Sequence, residues 1–243
     1  MAQKTSTVTH WDNYWEKGNL EYINKIVEEL EKTGTLTGKK ILEIGAGSGA
    51  TSIKLAQEGA TVFCLDYSPK AIDVIRQNAR SAETRVLCVL ADANALPFGK
   101  NSFDICFHQG FLEHFTDVTN MLGEQHRVVR DRGILCADVP QRYSLYSLKK
   151  HVLILLGKWF AGWETEFTIG GLRHLLEKSG FCYQWGYGRF HVRNIDRIQK
   201  RLLGKTVLPP WVEKAYYMII QRIENTFLGT HTAFSIGVIA EKQ

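Results

Sequence analysis

Short apolar runs and longer amphipathic segments alternate along the middle of the chain. Apolar runs of strand length begin near positions 40, 61, 85, 103 and 134. Between these runs, apolar residues recur at helical spacing. The alternation predicts right-handed βαβ units, and therefore an α/β fold in which helices cover both faces of a parallel sheet.

The end of the first apolar run carries the most informative motif. Residues 40–49 read KILEIGAGSG, so a strand containing Glu43 leads into glycines at positions 45, 47 and 49 and then into a helical pattern. Glycine tolerates positive φ and lets a ligand approach the backbone closely. The second run ends at Asp66, where a carboxylate can accept hydrogen bonds from both hydroxyls of a ribose. Together the two features predict a nucleoside cofactor.

Polar residues also end the next two predicted strands. The third run ends at Asp92, and the fourth ends at His108 and Gln109. Ligands of parallel α/β sheets bind beyond the carboxyl ends of the strands, near the point where the strand order reverses. We therefore expect these side chains to share one edge of the sheet with Glu43 and Asp66.

The glycine turn and the segments after it resemble a known enzyme family. Dinucleotide binders carry G-x-G-x-x-G, whereas here the third glycine comes one position earlier and the acidic Glu43 precedes the turn. That carboxylate would repel a pyrophosphate but would suit a ligand with an ammonium and a sulfonium group. Residues 43–49 resemble motif I of the class I S-adenosylmethionine (SAM)-dependent methyltransferases. The later strings ADANALPF, FDI and LEHF are similar to its small-molecule, methyltransferase type 11-like branch.

The resemblance covers residues 39–140 and, more loosely, residues 168–181. It implies a Rossmann-like, doubly wound, mostly parallel sheet of seven strands, with the last strand, residues 232–240, antiparallel at one edge. We expect one methyltransferase domain over residues 1–243, with helical lid segments added to it. Its parts are an N-terminal helical cover (1–37), a SAM-binding core (38–140) and substrate-cover segments (141–167 and 191–228).

The resemblance also implies roles for individual residues. Asp66 would hold the ribose, Asp92 would accept from the adenine amine, and Glu43 would either orient the glycine turn or reach the amino group of the ligand. Asp92 has the alternative role of capping a loop, and the aromatic residues of the N-terminal helix could instead cover the sheet edge. The complete predicted cofactor site is Glu43, Gly45, Ala46, Gly47, Gly49, Asp66, Tyr67, Asp92, Ala93, His108, Gln109, Tyr14 and Trp15.

Methyl transfer is a displacement at carbon that depends mainly on alignment, because the cofactor supplies the electrophile. A general base helps only where the attacking atom carries a proton with a high pKa. His108 and His114 are the candidates for that base. The expected acceptor is a small, apolar or aromatic molecule, lipid-like molecules included, methylated on oxygen, nitrogen or carbon.

Two other function classes stay open from the sequence. The chain could be a non-catalytic SAM-binding regulatory subunit, or a nucleotide-dependent oxidoreductase built on a similar sheet. Methylation of the exocyclic amines of DNA bases is disfavoured, because the residues after the fourth strand, His108 to Phe111, lack the Asn/Asp-Pro-Pro-aromatic motif of such methylases. Other nucleophiles stay open, although a nucleic-acid partner is not expected.

Composition adds limits to these expectations. The chain has 243 residues, 44% of them hydrophobic, a net charge of +5 and five cysteines. No C-x-x-C pair occurs, which argues against a zinc site or a dithiol couple, so no metal is expected. Thiols inside predicted strands are typical of a reducing cytoplasm, and no run approaches the roughly eighteen apolar residues of a membrane span.

The segment 145–163 combines aromatic, apolar and basic residues. Three interpretations stay open for it: a wall or lid of the acceptor pocket, a peripheral contact with a membrane surface, or a partner-binding helix. The sequence does not define an oligomeric state.

Overall fold

The computed structural model describes residues 7–15, 24–157, 164–189 and 226–243, together with isolated positions between 209 and 222. Its strands are β1 (Lys40–Ile44), β2 (Thr61–Asp66), β3 (Leu87–Leu90), β4 (Phe103–Gln109), β5 (Val129–Pro140), β6 (Phe181–Arg189) and β7 (Ser235–Lys242). Its helices are α1 (Val8–Trp15), α2 (Asn24–Glu31), α3 (Ala50–Gln57), α4 (Pro69–Ser81), α5 (Thr119–Val128), α6 (Leu145–Leu155), α7 (Ile169–Lys178) and α8 (Phe227–Thr232). A 3-10 turn spans Leu112–His114.

The strands form one seven-stranded sheet in the order β3-β2-β1-β4-β5-β7-β6. Strands β1 to β5 run parallel to one another, and β7 is antiparallel to both β5 and β6. The chain builds outward from β1 in one direction and then, from β4, in the other. The strand order therefore reverses between β1 and β4, where Ile44 is paired with His108. This confirms the doubly wound, mostly parallel fold.

The position of the last strand differs from the expectation. Residues 227–232 form a helix, and β7 lies between β5 and β6 rather than at the edge. The edge strand is β6, which pairs antiparallel with β7. Burial explains the arrangement, because Ile236 and Val238 pack on one face of the sheet and Ile239 packs on the other. A strand that is apolar on both faces gains more from an interior position than from an edge.

Each face of the sheet carries its own core. On one face, Leu42 and Leu135 pack with Met121 of α5 and Leu172 of α7. On the other face, β1 and β4 pack with α2, α3 and α4 through residues that include Ile26, Leu30, Ile41, Leu55, Ile72, Ile75 and Phe107. The two layers of helices hold the strand ends in place, and the candidate site is built on those ends.

Local capping explains where two of the helices begin. Ser68 accepts a hydrogen bond from the Ala71 backbone N–H at 3.1 Å, and Pro69 occupies the first position of α4. Thr168 caps α7 in the same way through the N–H of Gly171. The predicted substrate-cover segment 191–228 lies outside the described residues, apart from isolated positions and residues 226–228.

The five cysteines all carry free thiols. Three of them are buried: Cys64 on β2, Cys106 on β4 and Cys136 on β5. Over the described ranges, no helix has the length and apolar content needed to span a bilayer.

Candidate cofactor and acceptor site

The glycine turn (residues 45–49) joins β1 to α3. Gly45, Gly47 and Gly49 have φ of 66°, 54° and 69°, in the left-handed region that strains other residues. Space is also restricted, because a Cβ on Gly45 would lie 2.6 Å from Cδ2 of Phe111 and one on Gly47 would overlap the ring of Trp15. The positive φ angles inferred from the sequence are confirmed. The close approach that the glycines allow in this structure is to aromatic side chains.

The Asp66 carboxylate connects the glycine turn to the start of α4. Its Oδ2 accepts from the Gly47 N–H and its Oδ1 accepts from the Ser68 N–H, each at 2.9 Å. Burial raises the pKa of Asp66, and these two N–H groups oppose that shift. A carboxylate can accept about four hydrogen bonds, so capacity remains for a ribose hydroxyl. The geometry therefore fits the predicted role, which stays a prediction.

Glu43 lies beneath α3 and is only 5% exposed. Its Oε2 accepts a 2.5 Å hydrogen bond from the Ser52 hydroxyl, in the first turn of α3. Burial raises the pKa of Glu43 to about 8, with Ser52 opposing the shift and Asp66 adding to it. Of the two roles left open, the contact with α3 favours orienting the glycine turn.

The third acidic strand end is more exposed. Oδ1 of Asp92 accepts from the backbone N–H of Asn94 at 2.8 Å and from its side-chain amide at 3.0 Å, which is the loop-start role offered as the alternative. Ala93 beside it is buried. Tyr67 is half-buried, and burial raises its pKa to about 12, with Asp66, Asp12 and Asp92 adding to the shift. Tyr67 therefore lies among the acids at the ends of β2 and β3.

Helix α1 places its aromatic side chains against the site. Trp15 packs on Gly47, and its ring meets that of Tyr14 edge to face at 4.9 Å. Trp11 meets the ring of His114 at 4.8 Å, and Asp12 accepts a short hydrogen bond from the Ser68 hydroxyl. These contacts bring the predicted aromatic pair to the glycine turn, so α1 covers the ligand edge of the sheet.

His108 is the last residue but one of β4, lies opposite Ile44 of β1 and is completely buried. Neither ring nitrogen has a hydrogen-bond partner within the described part of the chain. Burial lowers the pKa of His108 to about 3, so the imidazole is neutral over the physiological range. A neutral imidazole is better suited to hydrogen bonding than to holding a proton. Gln109 follows as the last, half-buried residue of β4, opposite Asp138.

The 3-10 turn after β4 contains a buried carboxyl that the sequence analysis did not assign to the site. Glu113 is 3% exposed, and its Oε2 has no partner among the described residues. Burial raises the pKa of Glu113 well above its usual range; the charges of Glu164 and Asp138 add to the shift and Lys150 opposes it. The sequence signal was its place in LEHF, directly after a strand that ends in the site.

A buried lysine connects this turn to α6. Lys150 is 3% exposed and lies 3.4 Å from Glu164 and 3.3 Å from Glu166. Between these two acids, Thr165 donates its N–H to the carbonyl of Glu113 at 2.7 Å. Segment 164–166 thus bridges α6 and the 3-10 turn, and neither end of that bridge was predicted.

A second buried ion pair lies at the ends of β5 and β6. Arg189 Nη2 is 3.3 Å from Asp138 Oδ1, and Asp138 is 1% exposed. The Asp138 Oδ2 and Arg189 Nε atoms have no partners in the described ranges. Asp138 is an acid near the carboxyl end of the apolar strand β5, much as Asp66 is at the end of β2, and that pattern could have identified it. Together with Glu113, the pair makes the β4–β6 side of the site polar and buried.

The residues on the β1–β3 side suit SAM. The site offers a carboxylate for the ribose, a glycine turn for close backbone approach, and a concentration of acids that suits a ligand carrying ammonium and sulfonium charge. Over the described residues, no cluster of His, Cys, Asp and Glu has the arrangement of a metal site.

Comparison with known proteins agrees with this geometry. The family model for a methyltransferase domain matches residues 42–137. An uncharacterised methyltransferase of Synechocystis is 30% identical over 154 residues, which cover 63% of this chain and 71% of that protein. The ubiquinone biosynthesis O-methyltransferase of Coxiella burnetii is 29% identical, with 71% and 80% of the two chains covered.

The fold is also found among solved structures. Magnesium protoporphyrin IX methyltransferase from Synechocystis, with bound S-adenosylhomocysteine (SAH), superposes with a TM-score of 0.61 at 18% identity. The match covers 97% of this chain and 93% of that chain. At this identity the likeness concerns the fold.

Proposed function

The chain belongs to the class I SAM-dependent methyltransferases, and we propose that it methylates a hydroxyl or amine on a small acceptor with an apolar or aromatic body. The observation that carries the proposal is two buried polar side chains, His108 and Glu113, which we call the buried polar pair, on the stretch of chain that also carries the aromatic wall of Phe111 and Phe115. SAM supplies an electrophilic methyl group attached to a sulfonium.

The aromatic wall is the evidence for an apolar or aromatic body on the acceptor. The rings of Phe111 and Phe115 lie 4.8 Å apart, and Phe111 approaches Gly45 in the glycine turn. Trp11 and His114 continue the wall across α1. Flat rings stack well on such surfaces and gain from the exclusion of water.

The buried polar pair is the evidence that the accepting group is a hydroxyl or an amine. The neutral imidazole of His108 can hydrogen-bond to it without holding a charge. The carboxyl of Glu113 has a raised pKa, so its ionised form is a stronger base than a solvated glutamate and can take the proton that the accepting atom loses. The remaining rate acceleration comes from the alignment of the accepting atom with the methyl group of SAM.

The test measures SAH formation with purified protein, SAM and a matched panel of a phenol, an aromatic amine and an aliphatic amine. We expect turnover with the aromatic acceptors. Glu113→Gln should lower kcat/KM by about 10²-fold while leaving the Kd for SAH unchanged, because the residue acts on the acceptor. The control is Glu177→Gln, an exposed acid on α7.

Several results would count against this function. Turnover of the aliphatic amine alone would contradict the aromatic acceptor. Binding of SAH with no turnover of any acceptor would favour the regulatory subunit. Binding of a nicotinamide dinucleotide in place of SAH would favour an oxidoreductase.

A further inference from the structure

Helix α6 turns a polar side toward the protein and an apolar side toward solvent. Ser147 and Lys150 are 2% and 3% exposed, whereas Leu155 is 86% exposed. A surface helix of a globular protein normally buries its apolar face, so this orientation is reversed. The outward side of α6 is therefore a candidate for a contact with an apolar surface outside the protein.

The exposed apolar residues form a continuous stripe. Leu148, Val152 and Leu155 follow the i, i+4, i+7 spacing that places residues on one helix face, and Leu156 extends the same face beyond the last turn. We name these four residues the α6 stripe. Their exposed fractions lie between 47% and 86%.

Contacts of Lys150 and His151 with two acids fix the direction of the stripe. Lys150 lies opposite it and contacts Glu164 and Glu166, and His151 Nε2 is 2.5 Å from Glu166 Oε1. Turning the stripe inward would break these pairs and leave carboxylates buried without their cation. The outward direction is thus built into the packing of α6.

The segment that carries the stripe is basic. Lys149 is exposed on α6, Arg142 is exposed just before the helix and lies 3.7 Å from Glu166, and the sequence contains no Asp or Glu between Asp138 and Glu164. Lysine beside an apolar stripe can extend its ammonium group into a layer of anionic headgroups while its methylenes lie on the apolar side.

We propose that the α6 stripe docks on the surface of a lipid bilayer that contains anionic lipids, with the helix lying in the interfacial plane. A second copy of the chain fits less well, because a face-to-face contact would bring the Lys149 side chains of both copies together on helices that carry no acid of their own. The proposal does not depend on the identity of the methyl acceptor.

The test is sedimentation of the full-length protein with vesicles. One set contains phosphatidylcholine alone, and the other contains phosphatidylcholine mixed with phosphatidylglycerol. We expect binding to the mixed vesicles that weakens with salt, and much weaker binding to phosphatidylcholine. Leu155→Asp should weaken binding by about tenfold or more. Lys149→Ala should weaken it by about fivefold.

Leu90→Asp is the matched control, because Leu90 is 57% exposed on β3, away from α6. It should retain wild-type vesicle binding, and circular dichroism should show that both aspartate variants are folded. The proposal is overturned if the wild type does not bind the mixed vesicles, or if Leu155→Asp binds them as well as Leu90→Asp does. A wild-type dimer that Leu155→Asp dissociates, with no vesicle binding, would assign the stripe to a second copy instead.

Discussion

The hydroxyl of Ser52 donates a 2.5 Å hydrogen bond to the carboxyl of Glu43, and both side chains are buried. The bond joins β1 to the first turn of α3 across the glycine turn, so the turn is held on both sides. Because the contact is buried, the protonation of Glu43 is linked to the stability of the fold.

Replacing Glu43 with glutamine should flatten the dependence of stability on pH. The pKa of Glu43 is about 8 in the folded protein against an ordinary value of 4.5, so the folded state holds an extra proton between these limits. Its stabilising contribution is complete below about pH 4.5 and is lost as the pH rises through about 8. Each pKa unit corresponds to about 1.4 kcal/mol, so the total is a few kcal/mol at most.

Urea unfolding of the wild type and Glu43→Gln at about pH 5 and about pH 8.5 measures this effect. The wild type should lose more free energy of unfolding between the two conditions. The control is Glu58→Gln, at the exposed end of α3. Equal losses in the wild type and Glu43→Gln would show that Glu43 does not titrate in this way.

Asp66→Asn should weaken SAH binding by about 10- to 100-fold. Charge-assisted hydrogen bonds contribute roughly 1.5–3 kcal/mol each, and asparagine offers one neutral acceptor where the carboxylate offers two charged ones. Calorimetric titration with SAH gives the change in Kd. Asp73→Asn, whose side chain is 70% exposed on α4, should bind as the wild type does. If a folded Asp66→Asn protein binds SAH as tightly as the wild type, Asp66 does not hold the ribose.

Gly47→Ala should cost more stability than an alanine at another glycine with positive φ. Gly47 and Gly38 have φ of 54° and 77°, so replacing either with alanine adds about 1–2 kcal/mol of backbone strain. Only at Gly47 would the Cβ also overlap a ring, that of Trp15, while nothing lies within 4 Å at Gly38.

Thermal unfolding of both glycine variants separates strain from overlap. We expect a larger fall in Tm for Gly47→Ala than for Gly38→Ala, together with weaker SAH binding. Equal falls in Tm would mean that Trp15 does not pack on the glycine turn in solution.

Lys150→Met should destabilise the fold by about 3–5 kcal/mol, because it removes a buried cation from between the carboxylates of Glu164 and Glu166. Its neighbour Lys149 is exposed, so Lys149→Met should change the free energy of unfolding by only about 0.5 kcal/mol. Denaturant unfolding compares the two. Similar values for both variants would contradict the buried bridge between α6 and segment 164–166.

Local patterns were enough to predict the parallel core and the cofactor edge. The strand and glycine turn of KILEIGAGSG, the acid at Asp66 and the Ser68-Pro69 helix start each follow from local rules on φ, capping and periodicity. Such rules act over a few residues, so they can be read without knowledge of the rest of the chain. They also sufficed to indicate the family.

Features that depend on contacts between distant segments became visible only in the folded chain. It placed β7 inside the sheet, buried Glu113 in the site, and paired Lys150 with Glu164 so that α6 faces its leucines outward. Burial and charge pairing arise from what packs against a residue, and sequence periodicity tells which residues share a face but not which way that face points. For this reason the side of the site that would receive the acceptor emerged only from the folded arrangement.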